Sequence, residues 1–201
     1  SGYGPTHNTI IEFGVMNSLP NMTMVAPCDA EQCKKVLRKS LNYPKPIYIR
    51  IPRGEEPLVY NQDYDYDFEI GKANVIQEGT DLNIIGTGMG VYGAVQAARQ
   101  LEEEGFSVGV IDMHTIKPID KDAVIHAAKK SGAIITVEDH NILGGLGSIV
   151  ADVLMEAGVF ARLKKIGIPD TFVEFGYPEE LYPYYGMDGA GIAKTAREFL
   201  K

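Results

Sequence analysis

His7 has the residue type and the setting to bind a small ligand. It ends the sequence Gly-Pro-Thr-His at residues 4–7, and the apolar stretch 9–16 that follows predicts a helix. Free backbone N–H groups and the positive end of the helix dipole favour anionic or hydroxylated ligands at such a start. His7 is therefore a candidate hydrogen-bonding residue of a binding site.

Arg53 is a second candidate of the same kind. It follows the predicted strand 46–51 through Pro52 and so leaves the carboxyl edge of a sheet. Helices of parallel α/β units begin at that edge, which allows His7 and Arg53 to face one crevice. An imidazole beside a guanidinium suits a small polar ligand with a phosphate or a carboxylate. Surface solvation of Arg53 is the alternative.

Glu138, Asp139 and His140 follow the predicted strand 133–137 and precede a glycine loop that opens a helix. Acid–base chemistry at the carboxyl edge of a sheet is one interpretation. However, no nucleophile or metal partner stands at a suitable spacing, so a domain-interface or helix-capping loop is favoured.

The glycines of residues 86–90 lie between a predicted strand and a predicted helix, where phosphate-binding loops occur. Val91 stands where the dinucleotide fingerprint needs its third glycine, and no Gly-Lys-Ser/Thr is present. A tight turn with close helix–strand packing is therefore the favoured interpretation.

Strands and helices alternate along most of the chain, which predicts an α/β fold with a largely parallel sheet covered on both faces. The predicted strands are 22–26, 46–51, 73–76, 82–86, 108–112, 133–137 and 163–167. The predicted helices are 8–19, 30–41, 91–104, 121–130, 147–157 and a C-terminal pair after Pro178 and Asp188.

This alternation is interrupted once, which predicts three segments. Residues 1–55 hold about two parallel strands, too few to bury a sheet on both faces, and are expected to be the C-terminal part of a larger domain whose earlier strands are missing. Residues 56–69 are rich in acids and tyrosine and predict a surface linker. Residues 70–201 form the second domain.

Composition excludes several classes of function. The chain has 201 residues, 45% of them hydrophobic, and a net charge of −8, which argues against nucleic acid or an anionic membrane as partner. No apolar run approaches a membrane span. The two cysteines, Cys28 and Cys33, suit neither a disulfide nor a zinc site, and a cytoplasmic location is expected. His114 and His126 are weak candidates, His126 being expected to face solvent or a subunit.

Motifs along practically the whole chain resemble, in order, those of the C-terminal half of transketolase and its thiamine-diphosphate-dependent relatives. They are Gly-Pro-Thr-His (4–7), Leu-Pro-Asn-Met (19–22), Ala-Pro-Cys-Asp-Ala-Glu (26–31), Ile-Arg-Ile-Pro-Arg-Gly (49–54), Thr-Ile-Lys-Pro-Ile-Asp (115–120), Val-Glu-Asp-His (137–140), Gly-Gly-Leu-Gly-Ser (144–148) and Gly-Tyr-Pro-Glu-Glu-Leu (176–181).

The resemblance implies the end of a pyrimidine-binding domain of the thiamine-diphosphate fold over residues 1–55. It also implies a three-layer α/β/α transketolase C-terminal domain over 70–201, with a largely parallel five-stranded sheet. His7 would contact the oxygens of the donor sugar, and Arg53 its terminal phosphate. Tyr3 stands where the family often has an acid that binds sugar hydroxyls, so the donor preference is open.

The implied reaction is transfer of a two-carbon ketol unit between sugar phosphates, as in the pentose phosphate pathway, through thiamine diphosphate with Mg²⁺. Because the cofactor-activating glutamate and the diphosphate-binding domain lie upstream in the family, this chain is expected to bind no cofactor alone and to be inactive alone. The implied partners are a second copy, joined through the C-terminal domain, and N-terminal domains or a separate N-terminal subunit. Alternatives are a 1-deoxyxylulose-5-phosphate synthase, a 2-oxoacid dehydrogenase beta subunit, or a non-catalytic dimerisation module.

Overall fold

The computed structural model describes residues 8–52, 57–60 and 66–201. Its strands are β1 (Thr23–Val25), β2 (Ile47–Ile49), β3 (Asn74–Gln77), β4 (Leu82–Gly86), β5 (Val108–Asp112), β6 (Thr115–Lys117), β7 (Ala133–Asn141) and β8 (Arg162–Ile168). Its helices are α1 (Glu12–Asn17), α2 (Ala30–Ser40), α3 (Gly90–Glu103), α4 (Lys121–Ser131), α5 (Leu146–Glu156), α6 (Pro178–Tyr184) and α7 (Gly189–Leu200).

A five-stranded sheet, here called the large sheet, has the strand order β3-β5-β4-β7-β8. Strands β5, β4, β7 and β8 are parallel, and β3 pairs with β5 in the antiparallel direction at one edge. Strands β4 and β5 are buried along their whole length, as expected for strands covered on both faces. The predicted largely parallel five-stranded sheet is confirmed.

Helices pack on both faces of the large sheet. On one face Leu101 of α3 and Ile192 of α7 are completely buried against the sheet. On the other face Val124 of α4 and Val150 of α5 are completely buried. This arrangement confirms the predicted three-layer α/β/α architecture.

A second sheet, here called the small sheet, has the strand order β2-β1-β6. Strands β1 and β2 are parallel and joined by α2, which Asp29 begins by accepting a hydrogen bond from the backbone N–H of Gln32 (2.8 Å). Strand β6 comes from the later part of the chain and pairs antiparallel with β1. Strand β6 was not predicted from the sequence, because its residues form a strand through pairing with β1, which is distant along the chain.

Helix α1 is shorter than the predicted helix 8–19. Before α1, the backbone carbonyl of Ile10 accepts a hydrogen bond from the Asn141 N–H (2.8 Å) instead of from the helix. Helix α1 has no side-chain cap at its start, and only Glu12 and Phe13 in it are buried. A contact with the end of β7 therefore replaces a helical hydrogen bond at Ile10.

The segment predicted to be a surface linker is partly buried. The exposed fraction is 2% for Tyr60 and 1% for Phe68. Phe68 packs against the ring of His114 with 4.2 Å between centroids. Aromatic side chains can bury a large apolar area even in an acidic segment. The charge pattern of the segment does not indicate this burial.

The glycines between β4 and α3 form a tight turn, as the favoured interpretation predicted. Gly88 has a φ of +52°, which suits glycine. A Cβ atom on Gly90 would lie 2.5 Å from the carbonyl oxygen of Val137. These glycines therefore allow α3 to pack directly on β7. Among the described residues, no helix combines the length and apolarity that crossing a bilayer requires.

Candidate functional site

Tyr3, His7 and Arg53, the site residues predicted from sequence, lie outside the described residues. Their chain neighbours Asn8 and Pro52 are described, and both line one cleft. The structure thus brings together the two chain segments that carry His7 and Arg53, whereas the positions of the predicted residues themselves remain a prediction.

The cleft has a volume of about 1080 Å³ and lies between the carboxyl edge of the small sheet and the segment that follows β8. Its size matches that of sites for small molecules. The polar side chains in its wall include Asn8, Glu12, Tyr48, Arg50, Asp139 and Tyr182.

Arg50, the residue after β2, is the charged centre of the cleft wall. Its Nε lies 2.5 Å from Glu12 Oε1, and its guanidinium also pairs with Asp139 Oδ1 and donates to the Asp139 carbonyl (3.0 Å). The guanidinium carbon stands 5.1 Å from the centre of the Phe13 ring, a cation–π distance. Arg50 therefore connects β2, α1 and β7 in one place.

These charges are held away from water. The exposed side-chain fraction is 19% for Arg50, 6% for Glu12 and 16% for Asp139. Neither Glu12 oxygen accepts a hydrogen bond from the described residues, so the proximity of Arg50 compensates its charge. Burial alone would lower the pKa of Arg50, but Asp139 and Glu12 raise it well above its ordinary value. Arg50 is a permanent cation.

His140 is a buried and neutral histidine. Its Nε2 accepts a hydrogen bond from the backbone N–H of Phe13 (3.1 Å), and its Nδ1 lies 2.7 Å from the carbonyl of Asn141. A carbonyl can only accept, so the proton resides on Nδ1. Burial lowers the pKa of His140 despite the hydrogen bond to Asn141. The rings of Phe13 and His140 stack at 4.8 Å.

Glu138 is completely buried and caps α5. Its two carboxylate oxygens accept hydrogen bonds from the backbone N–H groups of Leu146 (2.6 Å) and Gly147 (2.9 Å). A Cβ on Gly145 would lie 2.0 Å from Glu138 Oε2, so this loop needs glycine there. Glu138 caps a helix, and Asp139 and His140 contact the first segment, as the favoured interpretation predicted.

Asp112, at the end of β5, is a buried acid that the sequence analysis missed. Its Oδ2 accepts hydrogen bonds from Gln32 Nε2 (2.5 Å) and the Tyr60 hydroxyl (2.7 Å), whereas Oδ1 has no partner among the described residues. Burial raises the pKa of Asp112 to about 7 although Tyr60 and Gln32 donate to it. An aspartate as the last residue of an otherwise apolar strand was the available signal.

An Asp112→Asn variant is expected to remove a pH dependence of stability. The folded-state pKa of about 7 lies above the ordinary value of 3.8, so stabilisation by proton binding is complete below the ordinary value and is lost as pH rises through about 7. Asparagine keeps an acceptor oxygen for Gln32 and Tyr60 and has no carboxyl proton to lose. Between about pH 4 and 8 the wild type should lose on the order of 2–4 kcal/mol that the variant retains.

Urea unfolding at about pH 4, 6 and 8 measures this difference. Asp152→Asn, at an exposed position of α5, is the matched control and should follow the wild type. Parallel stability curves for wild type and Asp112→Asn would contradict the assignment.

The remaining candidates from the sequence are two histidines and two cysteines. His114 is buried, and burial lowers its pKa to about 4. His126 is exposed as predicted, with Glu78 4.0 Å away. Both cysteines are free, as predicted. The described part of the chain contains no group of three or more metal-ligating side chains placed to hold an ion.

Two protein-family models match the chain. Residues 71–192 match the one described as "Transketolase, C-terminal domain". Residues 1–57 match the one described as "Transketolase, pyrimidine binding domain".

Similar proteins fall into the same group. The chain is 46% identical over 198 residues to one subunit of the apulose-4-phosphate transketolase of Phocaeicola vulgatus, a match covering 98% of this chain and 62% of that relative. It is 36% identical to 1-deoxy-D-xylulose-5-phosphate synthase 1 of Geobacter sulfurreducens, covering 98% of this chain and 31% of the synthase. The chain therefore spans less than two thirds of either relative.

A solved structure described as "Split gene transketolase, inactive beta4 tetramer" has the same fold. It superposes with a TM-score of 0.88 at 35% identity, covering 98% of this chain and 63% of that one.

Proposed function

This chain belongs to the transketolase family, and from that membership we propose that it is the C-terminal subunit of a two-subunit transketolase. The parent reaction is transfer of a two-carbon ketol unit between sugar phosphates. The observation that carries the proposal is the match of 98% of the chain, at 46% identity, to one subunit of a transketolase. The similar split-gene structure supports a division of the enzyme into two polypeptides.

Thiamine diphosphate is the cofactor that the family implies, and it supplies the carbanion chemistry of ketol transfer when bound. The described residues do not fit its diphosphate and Mg²⁺. They include no metal-holding group of side chains, and Glu12 and Asp139 already neutralise the Arg50 guanidinium of the cleft. We place the diphosphate and the metal on the partner polypeptide.

Three residues of this chain are proposed to contact the sugar phosphate. His7 donates a hydrogen bond to the oxygen of the donor sugar that gains negative charge during transfer. Arg53 pairs with the terminal phosphate. Tyr3, at the position where the family resemblance implies an acid, contributes to the choice of donor sugar. The presence of Asn8 and Pro52 in one cleft wall supports a common site.

Self-association through the C-terminal domain is a further part of the proposal. The similar split-gene structure is described as a tetramer of beta chains and as inactive. We accordingly expect this chain alone to associate with itself, and to turn over substrate only with its partner subunit.

A second candidate function is 1-deoxyxylulose-5-phosphate synthesis, which the 36% identity to such a synthase favours. Substrate pairs separate the two reactions when the chain is supplied with its partner subunit, thiamine diphosphate and Mg²⁺. Xylulose 5-phosphate or apulose 4-phosphate as donor, with an aldose-phosphate acceptor, tests ketol transfer. Pyruvate with glyceraldehyde 3-phosphate tests the synthase. Product formed only from pyruvate and glyceraldehyde 3-phosphate would overturn the proposed function. Oxidation of a 2-oxoacid, or no activity with any substrate, would overturn it as well.

Replacing Arg53 with alanine is expected to raise KM for phosphorylated substrates by about 10–100-fold, the scale of one charge-assisted contact. Arg99→Ala, at an exposed position of α3, is the matched control and should leave KM unchanged. Initial rates over a range of sugar phosphate concentrations measure both. An unchanged KM in Arg53→Ala would remove Arg53 from the site.

A further inference from the structure

Glu12, Arg50, Asp139 and His140, here called the Arg50 cluster, join the two matched family domains. Glu12 and Arg50 lie in the part that matches the pyrimidine-binding domain, and Asp139 and His140 lie in the part that matches the C-terminal domain. We propose that Asp139 and His140 are positioning residues for the donor-sugar site, acting through Arg50 and Phe13. The inference rests on the proposed function.

Helix α1 cannot fix its own position. It has six residues and lacks a side-chain cap at its start, and an isolated helix of that length is unstable in water. Its first turn is held by the end of β7, because His140 Nε2 accepts from Phe13 N–H (3.1 Å) and Asn141 N–H donates to the Ile10 carbonyl (2.8 Å). The chain reaches His7 three residues before Ile10.

The end of β2 is also held by the end of β7. Strand β2 has three residues, each partly exposed, and the Arg50 that follows pairs with both the carboxylate and the carbonyl of Asp139. The chain reaches Arg53 three residues later. One end of one strand therefore anchors both segments that lead to the proposed substrate residues.

The end of β7 is itself rigidly supported. Strand β7 lies between β4 and β8 in the large sheet, and Glu138 is fixed by two backbone hydrogen bonds from α5. A misplacement of about 1 Å at a reacting centre can cost about 100-fold in rate. Asp139 and His140 thereby act on catalysis by holding the two segments that lead to His7 and Arg53.

Asp139→Asn tests this inference in the full chain assembled with its partner subunit. The change keeps an acceptor oxygen and removes the charge that orients Arg50. We expect KM for the phosphorylated sugar to rise and kcat/KM to fall about 10–100-fold. Amide hydrogen exchange over residues 8–17 should accelerate by a factor at least about 10 times larger than exchange in β4, whose amides report the global stability. Asp152→Asn is the matched control and should match the wild type in every measurement.

A merely structural role gives a different result. Partial unfolding would lower kcat with KM unchanged and would speed exchange in β4 by the same factor as over residues 8–17, and that pattern would overturn the inference. Unchanged exchange over residues 8–17 would also overturn it. If Asp139→Asn does not fold, Arg50→Lys is measured in the same way with the same expectations. Lysine keeps the positive charge but lacks the planar guanidinium that donates several hydrogen bonds at once.

His140 gives an independent comparison. Glutamine can place an acceptor oxygen near the position of Nε2, whereas phenylalanine keeps the ring stacking and loses the acceptor. His140→Gln should retain more of the kcat/KM and exchange protection than His140→Phe, and equal losses would contradict the role of this hydrogen bond. If the wild-type complex shows no ketol transfer, the proposed function fails, and the exchange measurements alone still decide whether the Arg50 cluster holds α1.

Discussion

Replacing Arg50 with methionine is expected to lower the free energy of unfolding by about 3–5 kcal/mol. Methionine has a similar length but leaves the carboxylates of Glu12 and Asp139, which are 6% and 16% exposed, without their cation. Removing one partner of a buried ion pair is costly because the remaining charge stays in a medium of low polarity. The cation–π contact with Phe13 is lost as well.

Urea unfolding near pH 7 measures this loss. Arg99→Met, on the exposed surface of α3, is the matched control and should change stability by less than about 0.5 kcal/mol. Arg50→Lys should fall between the two, since it keeps the charge. A loss below about 1 kcal/mol in Arg50→Met would show that the Arg50 cluster does not stabilise the junction of the two sheets.

Replacing His7 with alanine is expected to lower kcat of the assembled enzyme by about 100–1000-fold. This is the scale of removing one hydrogen-bonding group from a site where charge develops in the transition state. The expectation follows from the family resemblance of residues 4–7 and from the proximity of Asn8 to the cleft.

Initial rates with saturating sugar phosphate measure the effect of His7. His126→Ala is the matched control, because the His126 side chain is 66% exposed on α4, and it should leave kcat unchanged. His7→Gln, which keeps hydrogen-bonding groups, should retain more activity than His7→Ala. A His7→Ala enzyme with wild-type kcat would exclude His7 from the reaction.

The large sheet and its helices could be predicted from the sequence because each element is long enough to show its period. Strands 82–86 and 108–112 agree with β4 and β5, since largely apolar runs mark strands buried on both faces. Elements decided by tertiary contacts could not be predicted. The chain just before α1 is not helical because it hydrogen-bonds to the end of β7. Strand β6 forms because it pairs with the edge of β1.

The candidate site was predictable only in part for the same reason. The local patterns around His7 and Arg53 place each residue at the carboxyl edge of a parallel sheet. The sequence therefore predicts that the two residues share a crevice. The pairing of Arg50 with Asp139 joins residues 89 positions apart, and no local pattern reports such a contact. The buried Asp112 was missed likewise, since its partner Gln32 is 80 positions away.

If this chain is one subunit of a two-subunit transketolase, as we propose, its turnover depends on the partner polypeptide. The most direct test is the initial rate of ketol transfer at a fixed concentration of this chain while the partner subunit is titrated, with thiamine diphosphate and Mg²⁺ present. We expect no turnover by either polypeptide alone and a rate that saturates at one partner per chain. Full turnover by this chain alone would contradict it, and so would no turnover at any ratio with a partner that is active beside another C-terminal subunit.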